Sequence, residues 1–417
     1  MKIPGVRLIG PTLLLTAAGW LVWLVASVIN TPDQHLSPQA ERILSAPASL
    51  PPIDEHNAYF AVLGFYAAAG QDIHASGLAY WVKATDPRPS QRGNAPSGLA
   101  IPTLPDCQQR PGCLREQARK ADSTEQILAL ERYRQLWTYP SFATVEADSA
   151  TAPRALLAGL PHQLWLADTA WRILAGDARA LSEVAANQRF WIMVALQSDD
   201  QASFLAAHAA LQADYQLLAD TAILHPLPQS NWAMAIERLP AKASDFSRVL
   251  NGEAYRLGWD LRELPQNWHR HPRQTASWLI ASRAGRWFYQ PKATVNLAMD
   301  EFERNAKQLS APIQELAKQD DRCQPSAQSW RAAMANYSGQ RIVCANLPRW
   351  RDAALQVRRS EALQRLLLAQ QHLLQGGTLD QLPATTLNPF NGQAAHIEQG
   401  TLVFAWPDQP LRLALPH

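Results

Sequence analysis

Residues 201–225, QASFLAAHAALQADYQLLADTAILH, decide the fold class of this chain. Mostly apolar side chains recur in them every three to four residues, which is the spacing of one face of an α-helix. These positions are Phe204, His208, Leu211, Tyr215, Leu218 and Ala222. Residues 153–176 repeat the pattern, and a further helix is expected over 178–197. Because the loops between them are short, the sequence predicts that these helices pack as antiparallel hairpins.

Helical patterns continue on both sides of this region. Ser123 and Gln126 form a capping-box signature for a helix start. Further helices are expected near 241–262, 274–288, 293–309 and 349–375. Gly376-Gly377 ends the last of them, as glycine commonly does at a helix C-terminus.

The last 30 residues change to an alternating pattern, which predicts short strands at 394–397, 401–406 and 411–415. No repeat period is present. The predicted fold class is therefore mainly α: an irregular antiparallel helical array with a small C-terminal β hairpin or meander, preceded by one N-terminal transmembrane helix.

Composition limits the classes of function. Hydrophobic residues make up 47% of the 417 residues and charged residues 18%, so a sizeable core is available. The formal net charge of +2 argues against nucleic acid as a partner, since phosphate binding needs a concentrated basic surface. Most of the 15 Trp residues fall within helical patterns, which predicts core positions for them.

The N-terminal segment predicts the cellular address. Leu8 to Ile29 contains no charged residue and spans roughly 33 Å as a helix, enough for the hydrocarbon core of a bilayer. Lys2 and Arg7 precede it, and mostly acidic residues follow. The positive-inside rule then predicts a single pass through a bacterial inner membrane, with a cytoplasmic N-terminus and a periplasmic main domain. A cleavable signal peptide is the alternative, although no clear cleavage site follows the segment.

This assignment divides the chain into five parts. They are a cytoplasmic stub (1–7), a transmembrane signal anchor (8–29), a Pro-rich tether (30–54), a helical periplasmic domain (55–387) and a C-terminal β element (388–417).

Four cysteines agree with export to an oxidising compartment. Three pairings are possible, and sequence proximity favours Cys107 with Cys113 and Cys323 with Cys344. Zinc is the competing explanation, but the C-x-x-C and Cys/His spacings of zinc sites are missing. We therefore predict two disulfides, no metal site and no cofactor.

Three stretches carry a resemblance to other proteins. They are DEHNAYF at 54–60, QPKATVNL at 290–297, and NPFNG at 388–392 followed by the apolar hairpin that contains GTLVF at 400–404. With these stretches the chain resembles an uncharacterised family of membrane-anchored, exported, mostly helical proteobacterial proteins. The resemblance implies the same address and a helical fold. It implies no activity, substrate or cofactor.

Known catalytic motifs are missing: there is no nucleophile elbow, phosphate loop, dinucleotide fingerprint or H-E-x-x-H. No catalytic residue is therefore predicted. The acidic run Asp300, Glu301 and Glu303 is typical of a solvated helix face that makes salt bridges. His208, on an apolar stripe, is expected to be a hydrogen-bonded core histidine.

Two basic segments are predicted to bind a partner. The first is the loop with Trp268, His269 and His271, beside Arg270 and Arg273, whose charge suits an acidic partner better than a metal ion. The second is the basic side of the 349–375 helix, which carries Arg349, Arg351, Arg358, Arg359 and Arg365. The leading hypothesis is a non-enzymatic binding or scaffold protein of the cell envelope that engages another protein or an envelope polymer. The alternative is an envelope hydrolase that uses buried carboxylate and His residues.

Overall fold

The computed structural model describes residues 6–45, 55–84, 107, 110–144, 160–224, 232, 234–267, 283–318, 323, 330–347 and 349–415. The side chains of residues 6–15, 29, 84, 160, 267, 283 and 284 lie outside this description. The chain forms two compact units. Unit 1 contains residues 1–47, 254–305 and 321–348, and unit 2 contains residues 48–253, 306–320 and 349–417.

The protein is mainly helical with one small C-terminal antiparallel sheet, as the sequence predicts. The helices are α1 (Val6–Ile29), α2 (Pro38–Ser45), α3 (Ala58–Leu63), α4 (Ile73–Ala84), α5 (Cys113–Glu116), α6 (Thr124–Leu136), α7 (Leu160–Leu174), α8 (Arg179–Gln197), α9 (Gln201–Ala222), α10 (Ser247–Asn267), α11 (Pro291–Leu309), α12 (Ile313–Leu316), α13 (Trp330–Ala335), α14 (Tyr337–Asn346) and α15 (Trp350–Leu374). Short 3₁₀ turns lie at Ala241–Ser244, Arg283–Phe288, Leu379–Gln381 and Ala384–Thr386. The strands are β1 (His396–Glu398), β2 (Thr401–Phe404) and β3 (Leu411–Ala414).

Some element boundaries differ from the sequence expectations. The segment expected to be helical over 241–262 begins as a 3₁₀ turn and becomes α10 only at Ser247. The described end of the expected 274–288 helix is the 3₁₀ turn Arg283–Phe288. Periodicity does not distinguish these cases, because a 3₁₀ turn also brings every third side chain together.

Helix α9 lies at the centre of unit 2, where it packs against α5, α7, α8 and α15. Its apolar face and those of its neighbours bury Trp165, Trp191 and Tyr215 almost completely. Each fully buried side chain of this size contributes roughly 1.5–3 kcal/mol through its removal from water. This packing accounts for the nearly continuous burial along α9.

The paired helices α3 and α4 cross at two glycines. A Cβ built on Gly64 would lie 1.9 Å from the carbonyl oxygen of Ile73, and one on Gly77 would lie 1.8 Å from that of Phe60. Only a residue without a side chain allows the two backbones to approach this closely. Gly64 lies four residues after the end of the 54–60 stretch quoted above.

Asparagines in the first and third of the resembling stretches hold the fold together. The Asn57 side chain caps α3 at the Tyr59 N–H and exchanges hydrogen bonds with both backbone groups of Ala143. Asn388 accepts from the Phe390 N–H and donates to the Ala405 carbonyl. The structure therefore gives these two stretches of the sequence a role in chain packing.

The second resembling stretch organises unit 1. Asp33 accepts hydrogen bonds from the backbone N–H groups of Lys292 and Ala293, at 2.9 and 3.0 Å, and so caps α11. Asn296 bonds the backbone of His35 and of Ser37, so the chain after α1 follows the start of α11. The described part of the Pro-rich tether is thus held in place by backbone and side-chain groups about 260 residues further along.

Strands β1, β2 and β3 form an antiparallel meander in that order. Leu402 pairs with Leu413 and Phe404 with Leu411, and all four are buried, on the side that packs against α15 and α9. Gln399 and Gly400 both have positive φ, which a two-residue hairpin of this type requires. The three predicted strands are confirmed, each slightly shorter or shifted.

Within the described residues, no helix is both long enough and apolar enough to cross a membrane. Both predicted disulfides are present: Cys107 is bonded to Cys113 in unit 2, and Cys323 to Cys344 in unit 1.

Candidate functional site

The five arginines of the predicted basic helix side occupy three different environments. Arg349 and Arg351 lie at the start of α15, and Arg351 hydrogen-bonds its neighbour Asp352. Arg359 is buried, and desolvation lowers its pKa, opposed by the charge of Asp408. Only Arg358 and Arg365 come together, one turn on either side of Glu361.

Arg358 and Arg365 line a cleft in unit 2 with a volume of about 610 Å³. The opposite walls come from residues 310–313, which lead into α12, and from the loop between α15 and the sheet. Apart from Arg358, Glu361 and Arg365, the lining consists of small, apolar or neutral residues, namely Ser310, Ala311, Pro312, Ile313, Ala384, Leu387, Asn388, Pro389 and Gly392. Apolar walls with a few placed polar groups are the usual composition of a ligand cleft.

The charges in the cleft leave an excess of one positive unit. Arg365 donates to Glu361 at 2.5 Å and to the Leu387 carbonyl at 3.1 Å, which fixes its guanidinium. Arg358 is 3.8 Å from the other oxygen of Glu361. A guanidinium carries five N–H donors in a planar fork, so two guanidinium groups beside one carboxylate retain donors for a second carboxylate or another anion.

Trp268, His269 and His271, the other predicted partner-binding residues, lie outside the residues that the structure describes. The acidic run lies on α11 in unit 1, and its members separate. Glu301 is buried and ion-paired with Arg304, whereas Asp300 and Glu303 are exposed. Partial burial raises the pKa of Asp300, and the negative charge of Glu303 adds to the rise.

His208 is a core residue of unit 2, as the sequence predicts. Its Nδ1 lies 3.1 Å from the Ser360 hydroxyl and its Nε2 lies 2.9 Å from the Ala243 carbonyl. Burial lowers its pKa to about 4, so the ring is neutral at physiological pH. These contacts join α9 to α15 and to the 3₁₀ turn Ala241–Ser244.

Sequence reasoning missed a buried polar cluster among α6, α7, α8 and α9. The Tyr133 hydroxyl lies 2.5 Å from His162 Nδ1 and 2.9 Å from Asn187 Oδ1, and it accepts a hydrogen bond from Trp191 Nε1. Asn187 Nδ2 donates to both carboxyl oxygens of Asp214. His162 Nε2 lies 3.6 Å from the nearer of these oxygens.

Burial shifts the pKa values of the ionisable groups in this cluster in the direction that favours their neutral forms. Burial lowers the pKa of His162 to about 3. Burial also raises the pKa of Asp214 well above its ordinary value, although the bonds from Asn187 oppose the rise. Burial raises the pKa of Tyr133 as well, with the charge of Asp214 adding to it. Burial therefore favours the neutral forms of both His162 and Asp214, in a site that has almost no contact with solvent.

A sequence signal for this cluster existed in part. Asp214 lies three residues after Leu211 and four before Leu218, on the apolar stripe of α9, where a carboxyl group needs a buried partner. The partners on α6, α7 and α8 cannot be read from the stripe itself, since helical spacing defines a face but not the face that it meets.

A second buried carboxyl joins α9 to the small disulfide loop. Asp220 accepts hydrogen bonds from the N–H groups of Gly112 and Leu114, on either side of Cys113, and from the Gln216 side chain. Burial raises its pKa to about 6, opposed by these three bonds. The predicted disulfide loop is thus bound to the central helix of unit 2.

Within the described residues, no group of three or more His, Cys, Asp or Glu side chains is placed to hold a metal ion. Comparison of the chain with protein-family models, curated proteins and solved structures finds no match.

Proposed function

We propose that the protein is a membrane-anchored periplasmic binding protein of the cell envelope, whose unit 2 engages an acidic segment of an envelope protein or polymer. The observation that carries the proposal is the cleft with Arg358 and Arg365 on one wall and apolar residues on the others. Such a surface suits a segment that combines a carboxylate with small apolar groups.

The proposed address rests on the N-terminal sequence and on the cysteines. The uncharged stretch Leu8 to Ile29 forms most of α1, where Trp20, Leu21, Val22 and Trp23 are exposed to the surroundings. Disulfides in both units suit an oxidising compartment such as the periplasm. An anchor also raises the effective concentration of the binding unit near other envelope components.

Photo-crosslinking in cells tests the binding site. A photoreactive amino acid replaces Ala384, which is exposed on the cleft wall, in the full-length protein. We expect an adduct with one envelope protein or polymer. Arg358→Glu should reduce that adduct strongly, because it reverses the charge of the arginine that has no hydrogen bond within the described residues.

Arg351→Glu is the matched control. It makes the same charge change on the same helix, but Arg351 does not line the cleft. Equal loss of the adduct in both variants would contradict the cleft as the binding site and indicate a general charge effect. A cleft that yields no adduct at all would contradict the binding function itself.

A further inference from the structure

Unit 1 exposes large aromatic side chains from three elements that pack against one another. Trp23 on α1, Trp287 on the 3₁₀ turn Arg283–Phe288, and Trp330 on α13 are 52%, 63% and 53% exposed. All three elements contact each other. Met334 and Tyr337, on α13 and α14, extend the exposed apolar surface. Exposed apolar patches of this kind mark interaction sites in soluble proteins and membrane contacts in anchored ones.

An arginine joins two of these tryptophans. The Arg331 guanidinium lies 5.7 Å from the centre of the Trp23 ring and 5.5 Å from that of the Trp330 ring. The contact places α13 beside the C-terminal part of α1, since Trp23 is six residues from the end of that helix. Under the proposed topology this end faces the periplasm.

The charge of the same elements has one sign. Arg283–Phe288, α13 and α14 together contain Arg283, Arg286, Arg331 and Arg341, and they contain no Asp or Glu. The side chains of Arg286, Arg331 and Arg341 are exposed. Interfacial membrane segments have this composition: Trp and Tyr rings occupy the headgroup level, and Arg side chains pair with lipid phosphates.

From these observations we propose that the surface formed by Trp287, Trp330, Arg286 and Arg331, beside the C-terminal part of α1, lies in the headgroup layer of an anionic phospholipid bilayer. The surface is called the aromatic–arginine surface below. The inference rests on the proposed membrane anchor and goes beyond it: unit 1 contacts lipid through elements about 260 to 310 residues after α1 as well as through α1 itself. Each Trp supplies a rigid ring with an apolar body and a polar N–H, which suits that layer.

Photo-labelling by lipid tests the inference. The full-length protein is reconstituted in vesicles of phosphatidylethanolamine and phosphatidylglycerol that contain a phospholipid with a diazirine near its headgroup. After illumination, trypsin separates α1 in peptide 8–42, Trp287 in peptide 287–292 and Trp330 in peptide 323–331. We expect label on all three. Peptide 155–172, with the exposed Trp171 of unit 2, serves as the control.

The outcomes distinguish the inference from the proposed function. Label on peptide 8–42 alone would overturn the aromatic–arginine surface and leave the anchor intact. A chain without label on peptide 8–42 would overturn the anchor. Equal label on peptide 155–172 would show unselective reaction with exposed Trp and would also overturn the surface.

A lipid change and a variant test the same surface by other means. Replacing phosphatidylglycerol with phosphatidylcholine should lower the label on peptides 287–292 and 323–331, because it removes the anionic partner of the arginines. The double variant Trp287→Ser/Trp330→Ser should lower label on the adjoining peptide 332–341, whereas Trp259→Ser, at a partly exposed Trp on α10, should not. Unchanged label in both experiments would contradict the proposal.

Discussion

In unit 2, Trp165, Trp191 and Trp350 are at most 1% exposed, whereas in unit 1 Trp23, Trp287 and Trp330 remain more than half exposed. The sequence expectation that Trp residues within helical patterns fill the core is therefore correct for these three residues of unit 2 and wrong for Trp287, which lies in the expected 274–288 helix. Helical spacing places a side chain on a face, but it does not say whether protein, water or lipid covers that face. The difference assigns packing to these three Trp residues of unit 2 and surface contact to the three of unit 1.

Single Trp substitutions should give the largest difference in stability effects between the two units. Trp191→Ala should lower the free energy of unfolding by about 3–5 kcal/mol, since it leaves a cavity in a close-packed core. It also removes the hydrogen bond to Tyr133. Trp330→Ala should change the free energy of unfolding by no more than about 0.5 kcal/mol, as is usual for exposed positions. Denaturant titration followed by far-ultraviolet circular dichroism measures both changes in the free energy of unfolding. Equal changes would contradict the assignment of Trp191 to the core and of Trp330 to the surface.

Removal of the disulfides should give the next largest effects, and it compares the units directly. Loss of Cys323–Cys344, which closes a loop with a separation of 21 residues, should cost about 3 kcal/mol by the loop-entropy relation. Loss of Cys107–Cys113, with a separation of 6, should cost about 2 kcal/mol by the same relation. Double Cys→Ser variants and thermal unfolding check the order. A larger cost for the shorter loop would indicate that packing of α5 on α9 dominates over loop entropy.

The buried cluster of unit 2 gives a pH-dependent effect. The pKa of Asp214 is raised in the folded protein, so its contribution to stability is present below pH 3.8 and is lost as the pH rises towards the folded value. Asp214→Asn removes this titration. Relative to the wild type, the free energy of unfolding of Asp214→Asn should therefore rise by up to about 1.4 kcal/mol for each pH unit above pH 4.

The contribution of His162 to stability has a pH dependence of the opposite sign and serves as the control. Because its pKa falls to about 3, its contribution is present above its unfolded value of 6.5 and is lost as the pH drops from there. The stabilisation of Asp214→Asn relative to the wild type above pH 7 is therefore independent of the titration of His162. Parallel pH profiles for the wild type and Asp214→Asn would show that Asp214 is ionised in the fold.

The smallest effect concerns the cap that Asp33 makes on α11 in unit 1. Asp33→Ala should cost about 1 kcal/mol, the usual value for loss of a helix cap. Asp33→Asn should recover only part of it, since the two N–H groups bond different carboxyl oxygens and an amide offers one oxygen as acceptor. The measurement is the midpoint of chemical unfolding. If Asp33→Ala has no effect, the chain after α1 does not depend on the start of α11.

Local signals predict the parts of the fold that depend on neighbouring residues. Gly376-Gly377 marks the end of α15 to within a few residues, and alternation marks the three strands. Both disulfides follow from the closeness of their cysteines in the chain. Signals of this kind involve at most about two dozen residues.

The candidate site depends on side-chain positions and contacts that local sequence patterns do not predict. Arg358 and Arg359 are adjacent, yet one lines the cleft and the other is buried. One residue along a helix turns a side chain by about 100°, so the exact placement of a face decides between them. The polar cluster likewise needs side chains from four helices, and Asp214 alone indicates only that partners must exist.

Paired crosslinking tests the division of roles between the units most directly. A photoreactive amino acid is placed at position 330 of unit 1 in one strain and at position 384 of unit 2 in another, and cells are illuminated. We expect phospholipid adducts at position 330 and an adduct with a separate macromolecule at position 384. Protein adducts at position 330 together with lipid adducts at position 384 would contradict it.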